Sequence, residues 1–264
     1  MSWTKHSTPE HEAIAGALTI LRCQVGSGVH GTAIAGTDDR DEMGICLEPP
    51  DYVIGLRHFD QYVYRTQPEG VRSGPGDLDL TVYSLRKWMR LAVGGNPTVL
   101  LPLFVPESEI VSVTDLGRDL RADPGLVLSR QAGHRFLGYL RSQRDRMVDH
   151  PQGKRTNRPE LIARYGYDTK YAGHMVRLGV QGVELLETGR ITLPMPEPWR
   201  SLIVGMRQGA HTREEALNLA ADLEDRLERL IPVCDLPEHP DMDRVNRWLV
   251  AAYRETWASD VPLS

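Results

Sequence analysis

The stretch Gly26–Gly31 (Gly-Ser-Gly-Val-His-Gly) is followed after a short gap by Asp38–Asp41 (Asp-Asp-Arg-Asp) and the apolar run Met43–Leu47. The apolar run predicts a strand. Side chains two residues apart leave the same face of a strand, so the carboxylates of Asp39 and Asp41 would converge on one point. Two adjacent carboxylates are costly to hold together unless a cation lies between them. Magnesium prefers one or two carboxylates together with substrate phosphates. The pattern therefore predicts a divalent-metal site where this strand begins.

The Gly26-Ser27 turn upstream supplies a second half of the expected site. A glycine-permitted turn that opens a short helix presents backbone N–H groups, and such a helix start attracts phosphate. Ser27 is the expected N-cap, with a short helix over residues 29–35. Each half alone is common in proteins without any ligand, whereas the combination indicates a site for a metal and a phosphate.

This order of motifs resembles the signature of the DNA polymerase beta nucleotidyltransferase superfamily, in which Gly-Ser is followed at similar spacing by Asp-x-Asp. The resemblance implies transfer of a nucleoside monophosphate from a triphosphate such as ATP, with two magnesium or manganese ions as cofactors. It implies that Asp39 and Asp41 are catalytic metal ligands. It also implies that Gly26 and Ser27 bind the triphosphate.

Two features of the acidic stretch depart from that signature. Arg40 and Glu42 stand where the superfamily often has apolar or aromatic residues, and Asp38 leaves a second register for the acidic pair open. A non-catalytic nucleotide- or RNA-binding relative with an altered site therefore stays an alternative.

A third acid is expected on the strand predicted over residues 77–83 (Asp-Leu-Asp-Leu-Thr-Val-Tyr). In the superfamily, an acid on a neighbouring strand shares one metal and helps to deprotonate the attacking hydroxyl. Asp79 is the preferred candidate for catalysis and metal binding, because it lies deeper in the strand. Asp77 leaves the same face by period two and stays open. A polar strand edge without a ligand is the structural alternative.

Residues 83–92 (Tyr-Ser-Leu-Arg-Lys-Trp-Met-Arg-Leu-Ala) and residues 95–100 (Gly-Asn-Pro-Thr-Val-Leu) narrow the resemblance. They are similar to the RNA-ligase-associated branch of the superfamily, the RlaP type. This resemblance implies an acceptor hydroxyl on RNA, either a tRNA or another RNA 3′ end. Nucleotidylation of a protein side chain or a small molecule is the alternative, and the sequence leaves the base and the acceptor open.

The second informative stretch is Tyr165–Leu178. Asp168 is the expected N-cap, so Lys170, His174 and Arg177 fall on one helix face near the N-terminal half, where a triphosphate is the natural anion. The Gly-Tyr-Asp-x-Lys…His…Arg-Leu pattern also occurs in the family. The alternative is a core histidine at position 174 and a salt-bridged arginine at position 177.

The net charge of −5 does not predict general nucleic-acid affinity. One segment is nevertheless rich in basic residues, which suits a phosphate-bearing partner, although a solvated helix face and a basic loop explain the charge equally well. Its basic residues are Arg135, Arg141, Arg144, Arg146, Lys154, Arg155, Arg158, Arg164 and Lys170.

The element pattern predicts an α+β fold. Residues 1–106 would form the catalytic domain around a small mixed sheet, residues 107–125 a linker, and residues 126–264 a mostly helical domain that covers the nucleotide and substrate. Helix starts are expected at Thr8, Ser84 and Thr212, and another helix after Thr98.

Composition predicts an ordinary globular protein, with 264 residues, 41% hydrophobic and 25% charged. No apolar run approaches the roughly 20 residues of a membrane span, and the N-terminus lacks the apolar core of a signal peptide. Cys23, Cys46 and Cys234 are scattered and odd in number, which argues against a disulfide framework and predicts a reduced, cytoplasmic protein without a membrane partner. Cys23 and Cys46 lie in predicted strands and are expected to be buried thiols. His30, His134 and His174 lack the tight spacing of a metal-hydrolase site.

Overall fold

A five-stranded mixed sheet lies at the centre of the fold. The computed structural model describes residues 6–68, 70–148 and 158–260. The strands are β1 (Thr19–Val25), β2 (Arg40–Cys46), β3 (Gln61–Arg65), β4 (Leu78–Ser84) and β5 (Ile110–Val113). Their order is β3-β4-β2-β1-β5, in which β2 and β4 are parallel and the other neighbours antiparallel. The sheet confirms the predicted α+β class.

Helices flank the sheet and dominate the second half of the chain. They are α1 (Pro9–Leu18), α2 (Gly26–Val29), α3 (Pro50–Val53), α4 (Leu85–Val93), α5 (Asp115–Ala122), α6 (Arg130–Val148), α7 (Pro159–Tyr165), α8 (Thr169–Thr188), α9 (Trp199–Arg207), α10 (Arg213–Leu230) and α11 (Met242–Asp260). Within the described ranges, no helix has the length and apolar character needed to cross a membrane.

The two faces of the sheet bury different clusters. On one face, Leu80 and Val82 of β4 and Tyr62 of β3 pack with Ile14 and Ala15 of α1. The other face of β1 and β2 packs into the large core that continues through the helical part of the chain. The alternation of side chains along each strand therefore decides which of the two clusters a residue joins.

Helix α8 is the centre of the helical part and packs against α6, α9 and α10. A Cβ at Gly182 would lie 2.7 Å from the Phe136 side chain, so glycine at this position permits the close approach of α8 to α6. Because three helices pack against α8, the positions of the polar residues in its first two turns are fixed by this packing.

Four of the predicted helix starts are confirmed. Thr8 accepts a hydrogen bond from the backbone N–H of His11, and Ser84 accepts one from that of Lys87. Asp168 accepts from the N–H groups of the first helical turn of α8. Thr212 forms the predicted capping box at the start of α10. Capping residues predict these helix N-termini from sequence because each cap satisfies backbone N–H donors within its own turn.

Two predicted helices are wrong. The turn after β1 is itself the helix α2, Gly26–Val29, and its N-cap is Val25, so Ser27 lies inside the first turn instead of capping it. After Thr98 the chain forms only turns and a 3₁₀ turn, Leu101–Leu103.

The segment expected as a linker, residues 107–125, contains the edge strand β5 and helix α5. β5 pairs with β1, and a Cβ at Gly117 of α5 would collide with the backbone carbonyl of Ile20. A four-residue strand carries too little alternation to be recognised from sequence, and only its pairing with β1 defines it.

The C-terminal helix α11 returns to the sheet. The Tyr253 hydroxyl donates to the buried Glu48 carboxylate, and Trp257 Nε1 donates to the Glu48 carbonyl at 3.1 Å. One cluster of buried residues extends from β1 to α11, so the first and last parts of the chain share a core.

The cysteines are free and buried, as predicted for Cys23 and Cys46. Burial, the largest influence, raises the pKa of the Cys23 thiol to about 12, so this group is protonated and unreactive at neutral pH.

Candidate active site

Three carboxylates meet at the end of the sheet where β2 and β4 begin. Asp41 and Asp79 are directly paired in the parallel ladder, and Asp39 immediately precedes β2. One carboxylate oxygen from each lies within 4.8 Å of the others. The structure therefore brings Asp39, Asp41 and Asp79 together, as expected from the sequence.

Asp39 and Asp41 lack counter-ions among the described residues. No described residue donates a hydrogen bond to the carboxylates of Asp39 or Asp41 or forms an ion pair with them. Burial first, and then the negative charges of Asp39 and Asp79, raise the pKa of Asp41 to about 6. An all-carboxylate donor set at this spacing, without thiol or imidazole, fits a hard divalent cation such as magnesium.

Asp79 is held by one of its two oxygens. Oδ1 accepts from Arg65 Nε at 3.0 Å and from Ser73 Oγ at 2.9 Å. Oδ2 accepts nothing from the side chains and backbone that the structure describes. The two donors fix the carboxylate and leave its second oxygen for the cluster. The sequence prediction missed Arg65 and Ser73, although Arg65 lies opposite Asp79 once the pairing of β3 with β4 is known.

The second register of the acidic pair is excluded, because Asp38 is engaged elsewhere. Its carboxylate accepts from Arg207 Nη2 at 2.7 and 2.9 Å and from the backbone N–H of Ile34 at 2.7 Å. Burial alone would raise the pKa of Asp38, but the hydrogen bonds from Arg207 and Ile34 outweigh burial and lower it. Arg207 also donates to the carbonyl of Thr32, so α9 fastens the loop that leads to Asp39.

Asp77, the other candidate for the third acid, closes a loop. Its carboxylate accepts from the backbone N–H of Gly74 at 2.8 Å, from Thr66 Oγ1 at 2.8 Å and from Gln67. These hydrogen bonds lower the pKa of Asp77. The choice between Asp77 and Asp79 is thereby settled in geometry, and Asp79 is the cluster member.

Arg40 and Glu42, the two residues that differ from the superfamily signature, lie away from the acidic cluster. Alternation along β2 places both on the opposite face from Asp41. Glu42 is buried and accepts from Arg22 Nε and Arg40 Nε, both at 2.6 Å. These residues form an ion-paired group behind the strand and leave the acidic cluster unchanged.

Gly26 lies against the cluster. Its φ of +73° lies in the left-handed region that favours glycine, and a Cβ at this position would collide with the Asp41 carboxylate. Gly26 and Ser27 line a cavity of about 310 Å³ together with Asp39 and Asp41.

The predicted basic face of α8 forms the opposite wall of that cavity. Lys170, His174 and Arg177 all line it, as the sequence predicted. The Lys170 ammonium has no hydrogen bond or ion pair with the described residues. Burial, followed by the charges of Arg177 and Lys170, lowers the pKa of His174 well below 6.5. His174 is therefore neutral at pH 7 and contributes no charge.

Arg177 has no acidic partner in the described chain, so the salt-bridge alternative is wrong. Its guanidinium Nη1 lies 3.1 Å from His30 Nε2 and 2.9 Å from Gln181 Oε1. Burial lowers the pKa of Arg177 to about 10, which leaves it charged at neutral pH. His30 and Gln181 were missed by the sequence prediction, since only folding brings the α2 turn to α8.

Three of the seven described basic residues of segment 135–170 form ion pairs. Arg141 and Arg144 pair with Glu224 of α10, and Arg158 pairs with Asp168. The predicted loop with Lys154 and Arg155 lies outside the described residues. The solvated-face explanation therefore holds for Arg141 and Arg144 of α6, whereas Arg158 binds the buried N-cap of α8.

The sequence matches the family model of RlaP, the RNA repair pathway DNA polymerase beta family, over residues 6–251. The chain belongs to the RlaP family. The match covers the sheet, all of α10 and much of α11. Membership confirms the polymerase-beta-like nucleotidyltransferase type.

Solved structures add a weaker likeness. The crystal structure of a nucleotidyltransferase-like protein from Exiguobacterium sibiricum has 13% identity and a TM-score of 0.29, with 94% of this chain and 78% of that chain covered. No curated protein matches the chain.

Proposed function

We propose that this RlaP-family protein is a metal-dependent nucleotidyltransferase that moves a nucleoside monophosphate from a triphosphate to a hydroxyl of RNA. The observation that carries the proposal is the group of Asp39, Asp41 and Asp79, three convergent carboxylates of which two lack any described partner. A folded protein gains nothing from such a group unless a cation binds it. Family membership supports the same reaction class.

Asp39, Asp41 and Asp79 would hold two divalent cations, magnesium or manganese. When bound, these ions neutralise phosphate charge and lower the pKa of a coordinated hydroxyl. Asp79 contributes through Oδ2, because Oδ1 is occupied by Arg65 and Ser73. The parallel pairing of β2 with β4 keeps Asp41 and Asp79 at a fixed separation, and Asp39 directly precedes β2.

The nucleotide would occupy the cavity between α2 and α8. Lys170 lies close enough to lower the pKa of Asp41 and is the proposed partner of the triphosphate tail. Arg177, charged and without an acid, and the neutral His174 provide further contacts deeper along α8. Gly26 and Ser27 line the wall beside Asp41 and would contact the phosphates from the other side. Residues 126–264 would thus act as the covering part over a catalytic part formed by residues 1–106.

The reaction is an in-line displacement at the α-phosphorus. The acceptor oxygen forms a bond to this phosphorus, the bond to the oxygen that bridges to the β-phosphate breaks, and pyrophosphate leaves with that electron pair. The proton of the attacking hydroxyl passes to a carboxylate oxygen, for which Asp79 Oδ2 is the candidate. Lys170 offsets the charge of the departing pyrophosphate.

RNA is the proposed acceptor because the family description places its members in an RNA repair pathway. A tRNA or another RNA 3′ end supplies the hydroxyl. The three buried free cysteines favour a reducing compartment such as the cytoplasm.

The test is incubation of the protein with each of four radiolabelled nucleoside triphosphates and magnesium, with tRNA or a protein mixture as acceptor. We expect label in RNA and release of pyrophosphate, both lost in Asp39→Asn. Label in protein or in a small molecule would overturn the RNA acceptor but keep nucleotidyl transfer. Absence of label with every triphosphate and acceptor would overturn the enzyme and favour a nucleotide- or RNA-binding role.

A further inference from the structure

One face of the sheet carries Asp41 and Asp79, and the half of this face that β3 and β4 form is partly exposed to solvent. Residues opposite one another on paired strands share a face, so Gln61 and Val63 of β3, with Thr81 and Tyr83 of β4, lie on the same face as Asp79. All four are only half-buried. The same face of β1 and β2 is covered by the main core, against which Tyr83 also packs, whereas the rest of this half stays partly exposed from the acidic cluster to α4.

Two aromatic side chains border the open face. Tyr83 lies on it, and Tyr139 of α6 is near enough to interact electrostatically with Tyr83. The Tyr139 side chain is 37% exposed, and its hydroxyl accepts from Asn96 Nδ2 at 3.2 Å. Tyr139 also lines the proposed nucleotide cavity, so the open face and the cavity meet at this residue.

Basic groups border the same face. Lys87 Nζ of α4 donates to Gln61 Oε1 at 2.9 Å, lies 3.6 Å from the Asp60 carboxylate and 5.7 Å from the centre of the Tyr83 ring. The exposed Arg90, one turn further along α4, acts on the same Asp60 carboxylate. Near Asp60, two cations therefore oppose one acid.

We propose that this surface, the acceptor face (Gln61, Val63, Thr81, Tyr83, Lys87 and Tyr139), binds the single-stranded 3′ end of the acceptor nucleic acid. The inference rests on the proposed function, because the acceptor face is continuous with Asp79. A terminal base stacks on Tyr139 beside Tyr83, and Lys87 contacts a backbone phosphate. The terminal hydroxyl then lies next to Asp79 Oδ2, opposite the nucleotide cavity.

A single strand is the occupant that fits these groups. Unpaired bases stack on exposed aromatic rings, and cations beside the rings follow the phosphates. The half-buried patch is polar and aromatic, with one aliphatic side chain, Val63, among its six members. An apolar protein anchor would find little surface to bury here.

The test uses a fluorescent RNA oligonucleotide with a blocked 3′ end, so that binding is measured by anisotropy without transfer. We expect Tyr139→Ala to weaken binding about tenfold, since one base–aromatic stack is lost. Lys87→Gln should lower the slope of log affinity against log salt by about one, as expected for one lost phosphate contact. Tyr83→Leu should raise the acceptor KM and leave the triphosphate KM unchanged.

Matched controls lie off the acceptor face. Tyr64 is 41% exposed on the opposite face of β3, and Arg118 of α5 is exposed far from β3 and β4. Tyr64→Leu and Arg118→Gln should leave oligonucleotide binding unchanged. Thermal melting of each variant shows whether a loss comes from unfolding, and Tyr139→Ala, at an exposed helical position, keeps the test valid if Tyr83→Leu does not fold.

The two proposals fail separately. Equal oligonucleotide binding by wild type, folded Tyr139→Ala and Lys87→Gln overturns the acceptor face, whatever the enzyme transfers. Weakened binding in these variants together with no nucleotidyl transfer under any condition supports the acceptor face and overturns the enzyme. Transfer to protein with no measurable oligonucleotide binding also overturns the acceptor face.

Discussion

Asp38 and Asp39 are adjacent in the sequence but have opposite surroundings. Asp38 is locked to Arg207, with the two side chains 7% and 6% exposed, and its pKa is lowered. Asp39 has no counter-ion among the described residues and lies with Asp41 and Asp79, and the pKa of Asp41 is raised to about 6. A related difference separates Asp77 from Asp79: both oxygens of Asp77 accept hydrogen bonds within a loop, whereas Asp79 accepts through Oδ1 alone and its Oδ2 has no described donor. Acids that serve the fold have all their oxygens engaged, whereas neighbouring acids with free oxygens form a group that could hold a cation.

Asp41→Asn should have the largest effect. The loss of one charged metal ligand removes several kcal/mol of transition-state stabilisation, so transfer should fall at least a hundredfold, on the order expected for metal catalysis. The metal-free variant should melt no lower than wild type, because one repulsive charge beside Asp39 and Asp79 is gone. Activity assays and thermal melts with and without magnesium check both parts. Normal turnover, or a magnesium-induced rise in Tm as large as that of wild type, would contradict the metal site.

Asp38→Ala should give the opposite result, a loss of stability. Removing one partner leaves the buried Arg207 guanidinium uncompensated, at a cost of roughly 3–5 kcal/mol, or about 10 °C in Tm for a chain of this size. Chemical denaturation measures the free energy of unfolding. The double variant Asp38→Ala/Arg207→Met is the control and should recover part of the loss. A single variant as stable as wild type would show that the pair does not fasten this loop.

His30 should make stability fall in acid. Burial first, then Arg177 and His174, hold the pKa of His30 well below 6.5, so the folded protein keeps it neutral while the unfolded chain titrates near 6.5. The stabilisation is fully present above pH 6.5 and is lost as the pH falls below it, by about 1.4 kcal/mol per pH unit for one proton.

The His30→Gln variant tests this pH dependence, because it removes one titrating group and leaves His174. Urea unfolding between pH 7.5 and 5 should show a shallower decline than in wild type. An identical slope would mean that His30 does not set the acid limit.

Asp77→Asn should have the smallest effect. Its carboxylate serves a surface loop, so transfer should stay within about twofold of wild type, as for most substitutions remote from the chemistry. Asp79→Asn is the matched comparison and should lose transfer nearly as fully as Asp41→Asn. If both variants at positions 77 and 79 kept equal activity, neither residue would be the third catalytic acid.

Local signals in the sequence predicted much of the fold. The caps at Ser84, Asp168 and Thr212 and the long helices α8 and α10 are confirmed, because a cap or an amphipathic stripe acts within a few residues. The strand β5 was missed because its existence depends on pairing with β1. The Ser27 N-cap was wrong because the helix begins one residue earlier, at Gly26.

The candidate site was predicted residue by residue but not in its arrangement. Asp39, Asp41 and the face of α8 followed from spacing and from the family resemblance. The hydrogen-bond partners that set the charge state of each residue could not be predicted from the sequence. Arg207 lies 169 positions from Asp38, and His30 lies 147 positions from Arg177. No periodicity in the sequence connects residues so far apart.

The sequence by itself determined the acid types and spacings, the capped helices and the family. Only the tertiary structure decided that Asp79 and not Asp77 joins Asp39 and Asp41. It also decided that Arg40 and Glu42 lie on the opposite face of β2, and that the part of the acidic face formed by β3 and β4 stays partly exposed. The physical reason is that spacing fixes which face a side chain leaves, whereas its charge state and its function depend on what the rest of the chain packs against that face.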